Sequence, residues 1–212
     1  MAIAVFDLDG TVIRGDSFVA FLWACLQRHP RRVTRCLHLP LAVVRHTFGL
    51  RDNTWLKTVF VEAIIGGLSR RQVEEIAVGF AERLLERRIK PEARRTLDEL
   101  SARGFRLVMA SASLDAYVEP LAAGLGFDHV ISTRLAWRGD VCSGGLDGGN
   151  CYGDAKRQAI VHRFGRIDLA YSDHHSDLPL LLHAGQGVAV DPDRKLAALA
   201  AVHDLQILRW QP

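Results

Sequence analysis

The sequence lacks any apolar run long enough to cross a bilayer. Stretches such as Phe18 to Cys25 and Leu39 to Val44 fall far short of the ~18 residues that a spanning helix requires. The N-terminal stretch also fails the requirements of a secretory leader, because Asp7 and Asp9 interrupt its apolar residues and no basic residue precedes them. A cytoplasmic protein is therefore expected. Cysteine is scarce: Cys25, Cys36, Cys142 and Cys151 form no C-x-x-C pair and are not interleaved with histidine at zinc-finger spacing. That excludes a disulfide-stapled fold and leaves thiols expected to be reduced and mostly buried. Acidic residues are missing from one long stretch. Between Ser17 and Arg51 there is no Asp or Glu, whereas Arg28, Arg31, Arg32, Arg35, Arg45 and Arg51 all fall there. The net charge of the whole chain is only +3, too small to imply a nucleic-acid partner, so the information lies in the uneven distribution.

What is present is the composition of an ordinary globular protein, with 212 residues of which 49% are apolar and 24% charged. At roughly 100 to 200 residues per domain, the chain accommodates one sizeable domain and a smaller insertion. Ala2 to Phe6 is a short apolar run that stops at an acidic, glycine-containing turn, the pattern of a buried parallel strand delivering Asp7 at its carboxyl end. Pro91, Leu97 and Leu100 mark a helix that ends at Gly104 and passes into a second strand, Phe105 to Ala110, which presents Ser111. Leu114 to Leu125 and Asp154 to Phe164 have helical spacing, and Val130 to Tyr152, with its Arg138-Gly139-Asp140 turn, is expected to be a hairpin excursion. Strands over Ile167 to Tyr171 and Gly187 to Val190 end at Asp173 and Asp191.

Strands alternating with helices predict an α/β fold built on a doubly wound parallel sheet. Residues 17–89 break the alternation with helical patterns alone, so they are expected to form a helical insert, leaving 1–16 and 90–212 as the core. Pro30 and Pro40 divide the insert, and Gly66-Gly67 followed by Ser69 as a helix cap separates its last two helices.

In an open parallel sheet, ligands bind beyond the carboxyl ends of the strands, and here those ends supply Asp7, Asp9, Ser111, Asp173 and Asp177. Carboxylates crowded at one edge repel one another unless a cation holds them, and hard oxygen ligands of this kind suit Mg²⁺. Two carboxylates alternating as the chain leaves a strand can act as nucleophile and proton donor, with Gly10 allowing the tight turn between strand and loop. Ser111 can bond a phosphoryl oxygen and Lys156 can neutralise the charge of a phosphoryl group in transfer. His174 and His175, adjacent in a polar loop, are expected to be exposed.

The four segments Asp7-Leu8-Asp9-Gly10-Thr11, Ser111, Gly153-Asp154-Ala155-Lys156 and Tyr171-Ser172-Asp173-His174-His175-Ser176-Asp177, in this order, resemble the motifs of haloacid dehalogenase-like phosphatases over nearly the whole chain. Within that superfamily the resemblance is to the phosphoserine-phosphatase-like branch, near phosphatidylglycerophosphatase C-type proteins, with a helical cap after the first motif. The resemblance implies a Rossmannoid core and makes Asp7 the nucleophile that becomes an aspartyl-phosphate. It makes Asp9 the acid, then the base. Lys156 and Ser111 would hold the phosphoryl group, with Thr11, Gly10 and Asp16 completing the substrate-binding set. Asp7, the backbone carbonyl of Asp9 and Asp173 would bind Mg²⁺, with Asp177 just behind them. Asp16 stands where phosphoserine phosphatases carry an acid for the substrate amine, and Lys57 is the nearest candidate to receive a substrate carboxylate.

The function expected is hydrolysis of a small phosphorylated metabolite. One alternative is a lipid phosphate (phosphatidylglycerophosphate-type) at a membrane surface, because the arginine-rich stretch flanks apolar Leu37, Leu39, Leu41, Val43 and Val44. The expectation for that stretch is nevertheless that its apolar side chains pack within the insert while its arginines meet water. A second alternative, a response-regulator-type phosphoacceptor module, fits poorly because its acceptor Asp belongs on a middle strand, where this sequence offers Ser111.

Overall fold

The structure, a computed structural model, describes residues 2–210; positions 1, 211 and 212, assigned above to the core, lie outside the described residues. Its centre is β1 (Ile3–Phe6), four buried residues in a row, as a strand covered on both faces requires. Around it the chain builds a sheet with β2 (Arg106–Leu114), β3 (His129–Arg138), β4 (Val141–Asp147), β5 (Leu169–Ser172), β6 (Gln186–Val190) and β7 (Gln206–Leu208). The order is β4-β3-β2-β1-β5-β6-β7. All neighbours are parallel except β3 and β4. Helices α1 (Phe18–Arg28), α2 (Leu39–Thr47), α3 (Asn53–Ile64) and α4 (Arg70–Arg87) occupy the insert. The remaining helices are α5 (Pro91–Ala102), α6 (Asp115–Leu125), α7 (Asp154–Phe164), α8 (Leu178–His183) and α9 (Arg194–Val202).

Register explains why the site forms at one edge. Phe6 is level with Met109 of β2 and with Tyr171 of β5. Asp7 follows Phe6 directly, while Ser111 and Asp173 lie two residues beyond Met109 and Tyr171, so all three emerge at the same edge of the sheet.

Three features differ from the sequence expectation. Strand β2 does not stop at Ala110 but runs to Leu114, with a register shift between Ser111 and Leu114. Irregularity of this kind lets a strand continue while re-aiming its side chains. The hairpin is present, but its first arm also pairs in parallel with β2 from Val108↔His129 to Ser111↔Ser132, so it joins the sheet. Elements α8 and β7 carried no visible pattern, being six and three residues long.

The insert is anchored by an aromatic cluster. Phe21 of α1 lies 4.6 Å from the ring of Tyr117 on α6 and 5.4 Å from that of Phe80 on α4. Burying one such side chain contributes roughly 1.5–3 kcal/mol. Ser69 caps α4 in a reciprocal capping box with Gln72, as its place after two glycines predicts. The two crossings between core and insert lie side by side, with Ile13 bridged to Ile89 and the Arg14 N–H donating to the Arg88 carbonyl at 2.9 Å. One part of the insert departs from expectation. Of its apolar residues, Leu39 and Ala42 face inward, whereas Leu37, Leu41, Val43 and Val44 are exposed.

Candidate active site

The edge formed by β1, β2 and β5 opens into a cavity of about 630 Å³ lined on its sheet side by Asp7, Asp9, Gly10, Ser111, Lys156 and Asp173. Asp7 is buried at the end of β1, its N–H donating to the Tyr171 carbonyl at 2.9 Å. Lys156, in the first turn of α7, is buried between two carboxylates. Its Nζ donates to Asp7 Oδ1 at 2.7 Å and to Asp177 Oδ2 at 2.6 Å. Ser172 adds a hydrogen bond to the same Asp177 oxygen at 2.8 Å. Burial opposes the charge on Lys156, but Asp7 and Asp177 outweigh it and hold the ammonium well above its usual range. For Asp7, burial dominates and pushes the carboxyl up to about 8, Lys156 opposing and Asp177 and Asp173 adding to the rise. Asp173 is raised to about 6, again chiefly by burial.

Too much negative charge is therefore crowded at this edge for one ammonium to balance. Asp177 Oδ1 is also buried without a hydrogen-bond partner. An all-oxygen donor set with an orphaned carboxylate oxygen fits a hard divalent cation. Gly10 supports the same reading. Its φ is +75°, and an added Cβ would lie 2.0 Å from Asp173 Oδ2. No other residue lets Asp173 reach the space beside Asp7.

Asp9 faces the same cavity. Its Oδ1 accepts from the Ser17 N–H at 2.7 Å and its Oδ2 from Ser113 Oγ at 2.6 Å. Burial raises its carboxyl, with these hydrogen bonds acting against the shift. Ser17 is the residue before α1, and its hydroxyl bonds Tyr117 Oη at 2.9 Å, so Asp9 is tied to the point where the insert leaves the core.

The chain matches the haloacid dehalogenase-like hydrolase family over residues 4–182. It belongs to that family. Protein CicA of Caulobacter vibrioides (strain NA1000 / CB15N) is 35% identical over 189 residues, covering 87% of this chain and 83% of that protein. Among solved structures, a Bordetella pertussis Tohama I protein of unknown function superposes with a TM-score of 0.82 at 20% identity, covering 98% of this chain and 97% of the other. A phospho-aspartyl intermediate analogue of phosphoserine phosphatase superposes with a TM-score of 0.63 at 17% identity, covering 99% and 93%. The fold is thus that of the phosphoserine-phosphatase-like branch, and family membership removes the response-regulator-type module from consideration.

Of the residues that the sequence singles out, this haloacid dehalogenase-like site gathers Asp7, Asp9, Gly10, Asp16, Ser111, Lys156, Asp173 and Asp177 around one cavity. Thr11 is the exception in the substrate-binding set. It is fully buried below the cavity, where its hydroxyl donates to Asp173 Oδ1 at 3.2 Å, because the turn at Gly10 points it inward. Asp16 lies at the mouth, where its side chain accepts from the Val19 N–H in the first turn of α1 at 3.0 Å. Lys57 reaches the cavity wall but is buried, donating to the Ala112 carbonyl at 2.5 Å and to Asn150 Oδ1 at 2.9 Å. Burial pushes its ammonium down to about 8. His174 and His175 are half-buried, not exposed, because Asp193 at the start of α9 accepts from His175 Nδ1 at 2.7 Å and lies 3.5 Å from His174 Nε2. Asp193 also donates its N–H to the Asp173 carbonyl at 2.8 Å, so this group braces the loop that carries Asp173.

Several supporting residues escaped the sequence reading. Lys90 is fully buried and donates to the Gly10 carbonyl and, at 2.9 Å, to Asp191 Oδ2, pinning the turn after Asp7 from below. Ser113 and the Ser17 N–H hold Asp9, the Tyr117 hydroxyl in turn bonds Ser17, and Asn150 holds Lys57. Ser113 follows Ser111 by two residues on β2, a spacing that puts both on one face of a strand and could have signalled it.

Proposed function

We propose that the protein is a Mg²⁺-dependent phosphomonoesterase that works through an aspartyl-phosphate on Asp7. The observation that carries this reading is Lys156 held between Asp7 and Asp177 at the cavity floor, with Asp9 facing the same space from the wall. Asp7 attacks phosphorus, and the bond to the leaving oxygen breaks as Asp9 gives it a proton. Burial favours the protonated form of Asp9 that this step needs. Asp9 then takes a proton from the water that hydrolyses the acyl phosphate. Ser111 accepts from the Ser113 N–H at 3.0 Å and keeps its own O–H to give to a phosphoryl oxygen, while Lys156 balances that group's charge. Asp7, the Asp9 carbonyl and Asp173 would hold Mg²⁺, with Asp177 behind them. When bound, the cation neutralises the phosphoryl oxygens.

A cavity of about 630 Å³ suits a small phosphate ester. Helices α1 to α4 form the cap over it, and the fold shared with a solved phosphoserine phosphatase supports that assignment. Lys57, already engaged by two neutral acceptors, argues against selectivity for phosphoserine itself.

Steady-state hydrolysis with Mg²⁺ or a chelator tests the proposal, using p-nitrophenyl phosphate and an alkyl phosphate. Asp9→Asn is expected to lose on the order of 10²–10⁴ in kcat on the alkyl ester and far less on p-nitrophenyl phosphate, whose leaving group needs little protonation. Equal losses on both, or turnover indifferent to chelation, would overturn the assignment.

The cation site has its own test, independent of turnover. With Mg²⁺ at about 100 times its Kd, the wild type should gain about 2.7 kcal/mol of stability, which is roughly 5–10 °C in Tm for a chain of this size. In Gly10→Ala the added Cβ displaces Asp173, and most of that gain should vanish. An undiminished Mg²⁺ shift in the variant would remove Asp173 from the metal.

A further inference from the structure

Of the fifteen large apolar side chains exposed among the described residues, nine lie between positions 19 and 50. This is the acid-free, arginine-bearing stretch of the insert. They are not scattered. Leu37, Leu41, Val44 and Phe48 follow one another at intervals of four, three and four residues, which is one face of α2 and its flanks. They are 82%, 55%, 47% and 77% exposed. The opposite face, Leu39 and Ala42, packs into the insert, so α2 is apolar on both sides. On α1, Val19 and Trp23 are one turn apart and also face solvent. Val19 and Val43 both line the cavity, so exposed apolar side chains of α1 and α2 reach it beside the stripe. A monomer in water gains nothing by exposing a stripe of this kind; such surfaces meet a partner.

Charge identifies the partner. Arg28, Arg31, Arg45 and Arg51 are exposed around the stripe. Arg32 and Arg35, by contrast, are engaged inside the insert, donating to the carbonyls of Ile64, Gly66 and Glu62 at the end of α3. We propose that the α1–α2 face is a docking surface for an anionic lipid bilayer. Aliphatic side chains together with Trp23 and Phe48 would enter the interface while the arginines meet lipid phosphates. A second copy of this chain fits less well, because a two-fold contact would set arginines against arginines with no acid between Ser17 and Arg51 to offset them. Docked this way, the cavity opens toward the bilayer. Where the phosphomonoesterase reading holds, the esters it reaches first are those presented at that surface.

Sedimentation with vesicles tests the docking apart from any activity. Wild-type protein should pellet with phosphatidylcholine vesicles containing about 30 mol% phosphatidylglycerol at ~0.1 M salt, and much less with phosphatidylcholine alone. Changing Arg28, Arg31 and Arg45 together to Gln should weaken binding to anionic vesicles roughly 10²-fold. Leu41→Ser with Phe48→Ser should weaken it at least ~10-fold on any vesicle. None of these five side chains lines the cavity, so p-nitrophenyl phosphate hydrolysis should be unchanged, and circular dichroism reports folding independently. Wild type left in the supernatant with anionic vesicles, or variants that pellet as wild type does, would overturn the proposal. So would a dimer in gel filtration that Leu41→Ser with Phe48→Ser converts to monomer.

Discussion

Asp7→Asn is expected to abolish turnover, with a loss of at least ~10⁴ in kcat. An amide oxygen is a poor nucleophile, and it is a weaker ligand for a hard cation than a carboxylate. The geometry sharpens the expectation. Asp7 is the strand-end carboxylate held at 2.7 Å by Lys156, and its neighbour Asp9 is committed to Ser17 and Ser113. Asp9 is therefore not placed to substitute for it. The variant should fold, because the change also relieves the crowding among Asp7, Asp173 and Asp177 that raises the Asp7 carboxyl. Beryllium fluoride should protect the wild type, as a mimic of the phosphoenzyme, and leave Asp7→Asn unaffected. Activity within tenfold of wild type in the variant would defeat the covalent step.

Why these residues were legible in the sequence has a physical basis. A parallel strand buried on both faces is a continuous apolar run, and where it stops the polar residue marks the sheet edge. Ile3–Phe6 stops at Asp7, and Leu169–Ser172 stops at Asp173. Lys156 is recognisable only as part of the ordered set, since alone it looks like any lysine in the first turn of a helix. The residues that were not legible act across long sequence separations. Lys90 beside Pro91 looks solvated, and only the fold brings it to Gly10 and to Asp191, 101 positions away. The Ser17 N–H and the Ser113 hydroxyl meet at Asp9 from segments 96 positions apart, and the Ser17 hydroxyl bonds Ser113 and Tyr117 behind it. The outward face of α2 departs from the sequence expectation for a different reason. An apolar run that ends in basic residues suits packing or exposure equally, and what decides is which side of the helix the rest of the insert already fills. Leu39 and Ala42 fill it, leaving Leu41 and Val44 outside.

Lys156→Met is the variant in which catalysis and stability should fail together. Deleting one preorganised stabiliser of transition-state charge costs roughly 10²–10³ in kcat. The structure adds a second cost that a solvated lysine would not carry. Nζ lies 2.7 Å from Asp7 and 2.6 Å from Asp177, with all three side chains buried. Removing the cation leaves two buried carboxylates facing each other, and breaking a buried pair in this way typically costs 3–5 kcal/mol. For a chain of this length that corresponds to roughly 6–20 °C in Tm. The second site can be used to separate the two effects. Adding Asp177→Asn to Lys156→Met removes one of the stranded charges, so part of the lost Tm should return, whereas kcat should stay low because nothing replaces the ammonium beside the phosphoryl group. Thermal unfolding and p-nitrophenyl phosphate turnover of the two single variants and the double variant provide the check. Normal kcat in Lys156→Met would strip the lysine of its role at the phosphoryl group, and a double variant no more stable than Lys156→Met would show that the Lys156–Asp177 contact does not carry the stability assigned to it.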